Sequence, residues 1–400
     1  MSKLSLGIAG GGIAGLSAAL ALAQTGHDVA VYERAPQLSS LGAGVQLGPN
    51  ACRILAQFGL LDQVSKLAIS PKHLFIHRGS DGTVLVDLPL QVLAAQRWNS
   101  QSLVIHRGDL HSALLEAARA HPRISISNGA RVVEAHEPGT GIDLHLDMHG
   151  AAEIRHHDAL VAADGVGSQL RGRFDGGRGL RDTQRIAWRA VVPAGDAPAF
   201  ARSASTHLWL GPAAHLVHYP LSGGTLINVV ATTSAMKRRL VPGDYDAASD
   251  DAESQQHLAQ SFENFSREAR QLLASVTSFR MWPLFDAAPL SSLAQGHIGL
   301  AGDAAHPMVP FLAQGACQAI EDAGALAAGF ARHPQQPREA LVAYSAMRLA
   351  RASRVQAASR RQATIYHLSG FPAHARDLAI QTLGPMGMAR GLDWLYAAAA

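Results

Sequence analysis

The order of apolar and polar positions at the start of the chain predicts a strand, a helix and a second strand in close succession. Residues 4–9 form an apolar run of strand length, and residues 28–32 return to a strand pattern after a segment rich in Ala and Leu. Three glycines lie between the first strand and the helix with the spacing G-x-G-x-x-G, namely Gly10, Gly12 and Gly15.

These elements are the parts that a dinucleotide-binding unit requires. Gly10 would permit the tight turn, Gly12 would let the backbone approach a pyrophosphate, and Gly15 would let the helix pack on the strand. The N-terminus of the helix would present free N–H groups to the phosphates. Glu33 ends the second strand. It lies roughly 20 residues after the glycine turn, where a carboxylate can bind a ribose hydroxyl. The alternative is an ordinary turn between a strand and a helix.

Further strands and helices follow up to about residue 180. Residues 73–78 and 83–88 alternate as a hairpin, and 124–128, 131–135 and 142–148 are predicted to form a small antiparallel meander. Arg107 lies where a strand passes into a helix, so its guanidinium could bind a phosphate or a flavin, or form a surface salt bridge.

The pattern changes between residues 180 and 285, where short β-branched or aromatic segments separated by Gly or Pro predict an antiparallel sheet with one flanking helix over 252–275. Another strand, a Gly302–Asp303 turn and long C-terminal helices follow. We therefore predict a discontinuous first domain over residues 1–180 and 286–370. A sheet domain over 181–285 is inserted into it, and a terminal helix with its tail follows over 371–400.

Composition excludes several classes of protein. The chain has 34 Lys and Arg against 31 Asp and Glu, a net charge of +3, which gives no electrostatic case for nucleic acid. Its two cysteines do not provide a disulfide framework or a cysteine-rich metal site. We expect a cytoplasmic protein that needs no metal and does not bind a membrane.

Three motifs in order carry a resemblance that covers nearly the whole chain. GGGIAG at 10–15, ADG at 163–165 and GDAAHPMVPFLAQGACQAIEDA at 302–323 resemble the single-component FAD-dependent aromatic hydroxylases. HLVHYP at 215–220 and DWLY at 393–396 look most similar to the branch of salicylate, 3-hydroxybenzoate and 6-hydroxynicotinate hydroxylases. The resemblance implies an α/β fold like that of para-hydroxybenzoate hydroxylase: a Rossmann-like FAD-binding domain, an inserted, mostly antiparallel substrate sheet and C-terminal helices.

The resemblance also implies where FAD would lie. The glycine turn would contact the pyrophosphate, Arg107 and Asp303 the ribityl and phosphate portion, and the helix beginning near Gly315 the pyrimidine edge of the flavin. The cofactor-binding residues implied in this way are Gly10, Gly12, Ala14, Gly15, Glu33, Arg34, Arg107, Asp164, Asp303, Pro310, Gly315 and Ala316.

The activity implied is hydroxylation of a small aromatic acid with O2 and NADH or NADPH, through a flavin C4a-hydroperoxide. Salicylate and hydroxybenzoates are the leading substrates. The alternatives are a heteroaromatic, polyketide-like or amine substrate, or a flavin-binding protein without turnover. A homodimer is possible through the C-terminal helices.

His215 and Tyr219 are the candidate catalytic residues. Four positions apart on a strand, they share one face, whereas His218 would point away. An imidazole can accept a phenol proton, and the tyrosine hydroxyl could orient a carboxylate or the phenol. The alternative is a half-buried sheet face without catalytic groups. Trp188, Trp209 and Phe311 could line an aromatic pocket, and the alternative is that these large aromatic side chains belong to the hydrophobic core.

Overall fold

The computed structural model describes residues 3–37, 43–236, 247–248 and 251–397, so residues 398–400 of the predicted tail lie outside the described residues. Four sheets organise these residues. A six-stranded sheet has the order β18 (Ala294–Gln295), β19 (Ile298–Leu300), β11 (Ala159–Ala162), β1 (Ser5–Ala9), β2 (Asp28–Glu33) and β7 (Ile124–Asn128).

An eight-stranded sheet is the second large element. Its order is β16 (Ala247–Ala248), β17 (Arg280–Asp286), β12 (Arg181–Pro193), β15 (Leu226–Ser234), β14 (Ala214–Leu221), β13 (Thr206–Gly211), β4 (Leu74–Arg78) and β5 (Val84–Leu88). The two smaller sheets are β10 (Ala151–His157), β9 (Ile142–Met148), β8 (Ala130–His136), and β3 (Gly44–Leu47) with β6 (Leu103–His106).

Helices cover both large sheets. They are α1 (Ile13–Gln24), α2 (Pro49–Gln57), α3 (Leu61–Leu67), α4 (Leu90–Gln96), α5 (Arg107–Ala120), α6 (Gly172–Asp175), α7 (Ala252–Ser261), α8 (Arg267–Ala274), α9 (Gly315–Arg332), α10 (Pro337–Tyr366), α11 (Gly370–Gly391) and α12 (Asp393–Tyr396). None of the helices in the described ranges is both long enough and apolar enough to cross a membrane.

The predicted strand–helix–strand unit is present as β1, α1 and β2. The six-stranded sheet is parallel except for the edge strand β18. Ten of the twelve residues of α1 are buried, because its Ala and Leu side chains pack both on the sheet and on the neighbouring helices α5 and α9. The N-terminus of α1 is thereby fixed at the carboxyl end of β1.

Two elements differ from the sequence prediction. Residues 124–128 do not join an antiparallel meander; they form β7, which pairs in parallel with β2, because Ile124 and Ile126 pack on the core of the parallel sheet. The helix predicted over 252–275 is two helices, since Ser266 begins the second one by accepting a hydrogen bond from the Ala269 N–H.

The eight-stranded sheet has two faces of different character. Its back face, which carries Trp188, Leu216 and Ala231, packs on α7 and α8 in a hydrophobic cluster. Its front face is opposed by the loop at Pro310–Leu312 and by the C-terminal end of α10. Because β4 and β5 also belong to this sheet, it extends beyond the predicted range 181–285, and the domain bounds stay a prediction.

Candidate functional site

The glycine turn after β1 closes tightly on its neighbours. Gly10 has a φ of +107°, a conformation that favours glycine, and its N–H donates to the Tyr32 carbonyl at 2.8 Å. A Cβ on Gly15 would lie 1.9 Å from the Gly10 carbonyl oxygen. A Cβ on Gly12 would meet no atom of the described residues within 4 Å. The first and third glycines are therefore required by packing, whereas the second borders open space at the start of α1.

Glu33 holds this turn in place. Its two carboxylate oxygens accept the Gly11 N–H at 2.7 Å and the Ala35 N–H at 2.8 Å. His111, which sequence reasoning missed, bonds the Gly11 carbonyl through Nε2 at 2.8 Å. Glu33 therefore has a structural role at the turn, and its contact with a ribose stays a prediction.

Asp164 and Arg34 lie near each other beside the turn. Burial raises the pKa of Asp164, against the opposing effects of Ser168 and the Arg34 charge. Its Oδ1 is buried and has no hydrogen-bond partner among the described residues, whereas Arg34 is exposed. An unpartnered buried acceptor is costly unless a ligand or water supplies a donor.

Asp303 and the start of α9 form the other side of the cleft. The Asp303 carboxylate is accessible to solvent, yet the surrounding protein raises its pKa, an effect that nearby His306 and Arg107 oppose. A carboxylate that lines a deep cleft has these properties. A Cβ on Gly315 would lie 4.0 Å from Asp303 Oδ1. Gln314, which precedes α9, makes no side-chain cap, so the first N–H groups at Gly315 and Ala316 are not capped by that side chain.

The Gly302–Asp303 turn is fixed by a buried ionic network. Asp322 on α9 accepts the Gly302 N–H at 2.8 Å, His306 Nε2 at 2.7 Å and Arg348 Nε at 2.7 Å. Although burial alone would raise the pKa of Asp322, His306 and Arg348 lower it. His306 therefore has a structural partner 16 residues away in the chain.

The front face of the large sheet carries both predicted catalytic residues. His215 pairs with Thr232 and Tyr219 with Asn228 in the register of β14 and β15, so both point to one face, about 13 Å apart along the strand. His215 is 3% exposed, and its Nδ1 lies 2.8 Å from His367 Nε2. Burial lowers the pKa of His215 well below its usual value, and His367 and Arg185 lower it further.

Tyr219 lies at the other end of this face, beside a residue that sequence reasoning missed. Burial raises the pKa of Tyr219, and the nearby Arg189 charge opposes this effect. The Arg189 guanidinium lies 5.4 Å from the centre of the Trp282 ring. Its Nε is buried and has no hydrogen-bond partner among the described residues. Arg189 is half-buried, and a guanidinium with an unpartnered Nε beside a tyrosine hydroxyl is suited to an anionic ligand.

The predicted aromatic pocket is partly wrong. Phe311 does lie at the front face, with its ring centre 5.1 Å from that of His215. Trp188 and Trp209 belong to the back face, where Trp188 donates to Thr233 Oγ1 and Trp209 stacks on His77 at 4.1 Å. Strand alternation places these two tryptophans opposite His215.

Pro310 begins the short 3-10 turn that carries Phe311. Ala14 lies in the first turn of α1, and a Cβ on Gly302 would lie 2.7 Å from the Ala14 methyl group. The glycine turn and the Gly302–Asp303 turn therefore meet in one cleft. Among the residues of known placement, no group of three or more His, Cys, Asp or Glu side chains is arranged to hold a metal ion.

Comparison with known proteins decides the family. The sequence profile described as FAD binding domain matches residues 3–359. The 3-hydroxybenzoate 6-hydroxylase of Polaromonas naphthalenivorans (strain CJ2) is 33% identical over 389 residues, which cover 97% of this chain and 94% of that protein. This chain belongs to the FAD-binding aromatic hydroxylases. The hydroxylase is an FAD-dependent aromatic-ring monooxygenase that takes electrons from NADH or NADPH.

Two further comparisons agree with this assignment of the hydroxylase. The 6-hydroxynicotinate 3-monooxygenase of Bordetella bronchiseptica (strain ATCC BAA-588 / NCTC 13252 / RB50) is 30% identical, covering 89% of this chain and 91% of that protein. A salicylate hydroxylase solved as a substrate complex superposes with a TM-score of 0.81 at 24% identity, covering 99% of this chain and 95% of that one. The latter shows the fold, which is the predicted α/β fold like that of para-hydroxybenzoate hydroxylase.

The cleft of the hydroxylase fits FAD. The open space beside Gly12 and the unpartnered Oδ1 of Asp164 are available to a phosphate-bearing ligand and its hydroxyl groups. The N-terminus of α9, where Gln314 provides no side-chain cap, can stabilise negative charge on a bound ring. When bound, FAD supplies the redox chemistry and the activation of O2. The substrate of the hydroxylase is a small aromatic acid.

Proposed function

We propose that this enzyme hydroxylates a monohydroxybenzoate, with 3-hydroxybenzoate as the leading substrate. The observation that carries the proposal is Arg189, which lies on the same sheet face as Tyr219 and His215 and whose Nε has no hydrogen-bond partner among the described residues. In the register of β12, β15 and β14, Arg189 pairs with Val230 and Val230 with Val217, between the two candidate catalytic residues. The substrate carboxylate would bind Arg189 and Tyr219, and the phenol would lie toward His215.

The proposed chemistry of these residues follows from their charge states. His215 is neutral at pH 7, because burial and its neighbours lower its pKa, so it can accept the phenol proton. A phenolate ring is more electron-rich and accepts oxygen more readily. Phe311 and Tyr366, with ring centres 5.1 and 5.3 Å from that of His215, would exclude water from this end of the pocket. Val217, between His215 and Tyr219, leaves an apolar surface for the ring.

The first experiment is stopped-flow reduction of the bound flavin by NADH and by NADPH, across a panel of hydroxybenzoates, 6-hydroxynicotinate and non-aromatic amines, with analysis of the products. We expect one phenolic acid to accelerate reduction and to appear with one added oxygen. Failure of every aromatic acid to do so would refute the proposal. Reduction without an oxygenated product would indicate a flavoprotein that does not hydroxylate these compounds.

The role of Arg189 is tested with a pair of ligands that differ only in charge, 3-hydroxybenzoate and 3-hydroxybenzamide. If Arg189 binds the carboxylate, the wild-type enzyme prefers the acid at least tenfold, and Arg189→Met abolishes this preference while leaving amide binding unchanged. Arg185→Met is the matched control, since Arg185 lies on the same strand face four residues earlier. A preference that survives in Arg189→Met but not in Arg185→Met would assign the carboxylate to Arg185.

For assembly and location, we propose a cytoplasmic homodimer. Phe371 and Leu378, seven residues apart on α11 and therefore on the same side of the helix, are 83% and 64% exposed, and a second copy could cover them. Sedimentation equilibrium tests this proposal: a mass near 84 kDa, twice the 42.1 kDa of the chain, supports a dimer. A concentration-independent monomer refutes it. Cell fractionation tests the location.

A further inference from the structure

A second histidine contacts His215 from a distant part of the chain. His367 directly follows α10 and lies within 2.8 Å of His215 Nδ1 through its Nε2. A hydrogen bond between two imidazoles requires one ring to donate and the other to accept. Since Nδ1 of His215 is engaged, only its Nε2 is left for a ligand. The state of His367 therefore determines whether that nitrogen can accept a proton.

The position of His367 is held by a chain of buried groups. Arg376 on α11 donates from Nη1 to the carbonyls of Ile365 and Tyr366, at 3.2 and 3.0 Å, which satisfies two acceptors at the end of α10. Arg376 also bonds Asp377, which accepts from Arg78 on β4 at 2.8 Å. The end of α10 is thereby tied to the large sheet.

Aromatic contacts fix the histidine pair from the other side. Phe311 lies with its ring centre 5.8 Å from that of His367 and nearly perpendicular to it. The Tyr366 hydroxyl donates to the Phe311 carbonyl at 3.1 Å, so a hydrogen bond joins the loop at Pro310–Leu312 to the end of α10. The pair lies within a built site rather than on a mobile surface.

We propose that His367 is a positioning residue for the hydroxylation, which accepts the Nδ1 proton of His215 and so leaves His215 Nε2 as the base toward the phenol. The inference rests on the proposed function. In the step, the phenol O–H bond breaks and its proton goes to His215 Nε2, while the Nδ1 proton is shared with His367 Nε2. The electron pair stays on the phenolate oxygen, and the proton returns to that oxygen in the product, so the pair is regenerated.

The surrounding charges favour this arrangement only while a phenolate is present. Burial lowers the pKa of both histidines, and the charges of Arg185 on β12, near both rings, and of Arg376 on α11, near His367, lower it further. Tyr366 is protonated, because burial raises its pKa to about 12. No ion pair joins either histidine to a carboxylate in the ranges that the structure covers. A proton on the pair therefore needs the negative charge of the ionised substrate.

The experiment measures ionisation of bound 3-hydroxybenzoate by near-ultraviolet difference spectra of the holoenzyme from pH 5 to 10. His367→Phe keeps an aromatic ring but removes the acceptor, and His367→Gln restores an acceptor through its amide oxygen. We expect the phenylalanine variant to lower the ionisation constant of the bound phenol at least tenfold and kcat about 100-fold, with KM nearly unchanged. The glutamine variant should stay within about threefold of wild type in ionisation.

His374→Phe is the matched control, because His374 is another histidine on the adjoining helix and bonds the Gly370 carbonyl of its own helix. If His367→Phe does not fold, His367→Asn takes its place, since the shorter side chain does not reach Nδ1. This inference is overturned, and the proposed function is not, if the phenylalanine variant ionises the phenol and turns over like the wild type. The same holds if the glutamine variant does not restore ionisation. A wild-type enzyme that neither ionises nor hydroxylates the phenol overturns the proposed function and this inference together.

Discussion

A pair of identical substitutions three residues apart should separate the folding of the glycine turn from its binding of FAD. In Gly15→Ala, the new Cβ would lie 1.9 Å from the Gly10 carbonyl oxygen and 3.0 Å from its carbon. Both atoms are backbone, so either β1 or α1 must shift. Overpacking a core usually costs 1–3 kcal/mol, and a contact to fixed backbone at this distance should exceed about 3 kcal/mol.

Gly12→Ala is the counterpart with no such clash. Its φ and ψ of −77° and −174° suit alanine, and the new methyl group would meet no atom of the described residues within 4 Å. The lower entropy of the unfolded chain stabilises by about 0.4–1 kcal/mol, while alanine is a poorer N-cap than glycine. The free energy of unfolding of the apoprotein should therefore change by less than about 1 kcal/mol.

The cofactor distinguishes the two variants further. The Gly12→Ala methyl group enters the space that a pyrophosphate would occupy, so FAD affinity should fall at least 100-fold, or about 3 kcal/mol. Urea unfolding of the apoproteins by circular dichroism gives the stability, and quenching of flavin fluorescence gives the affinity. Equal destabilisation of the two apoproteins, or wild-type affinity for FAD in Gly12→Ala, would refute this account of the turn.

Two other predictions concern buried charge. Burial, together with His77, lowers the pKa of His207 from its ordinary value near 6.5 to about 4. The unfolded state therefore binds the proton more readily, and the free energy of unfolding falls as the pH falls from 6.5 to 4. The loss from this group is about 3 kcal/mol, and urea unfolding at several pH values should show a smaller loss in His207→Gln. Arg348→Met removes the guanidinium that pairs with buried Asp322 and should lower the free energy of unfolding by about 3–5 kcal/mol. FAD binding should also weaken, because Asp322 holds the Gly302 N–H. An unchanged unfolding midpoint would contradict this prediction.

The parts of the fold that the sequence predicts well are local. The turn from Gly10 to Gly15 depends on a packing distance between residues only five positions apart, and the spacing of the glycines records that constraint. The common face of His215 and Tyr219 follows from strand alternation alone. Each of these features is determined by the backbone period and by steric exclusion, both of which leave a signature in a short segment.

The features that could not be predicted depend on partners distant in sequence. Residues 124–128 alternate equally well in a meander or in the parallel sheet, since alternation does not identify the neighbouring strand. The opposite orientation of Trp209 follows from its register against Leu216. His367 meets His215 across 152 residues. Arg189 Nε lacks a partner among the described residues because of how distant segments pack around it.

The two faces of the large sheet show how one strand can serve folding and chemistry together. On the back face, His218 of β14 stacks on His207 with ring centres 4.5 Å apart, and β12 is buried against α7 and α8 through Trp188. On the front face, Arg189 Nε has no hydrogen-bond partner among the residues that the structure describes. A buried donor without a partner costs stability, and the packing of the back face on α7 and α8 offsets that cost. A substitution at the back face should therefore alter stability first, and one at the front face should alter ligand binding first.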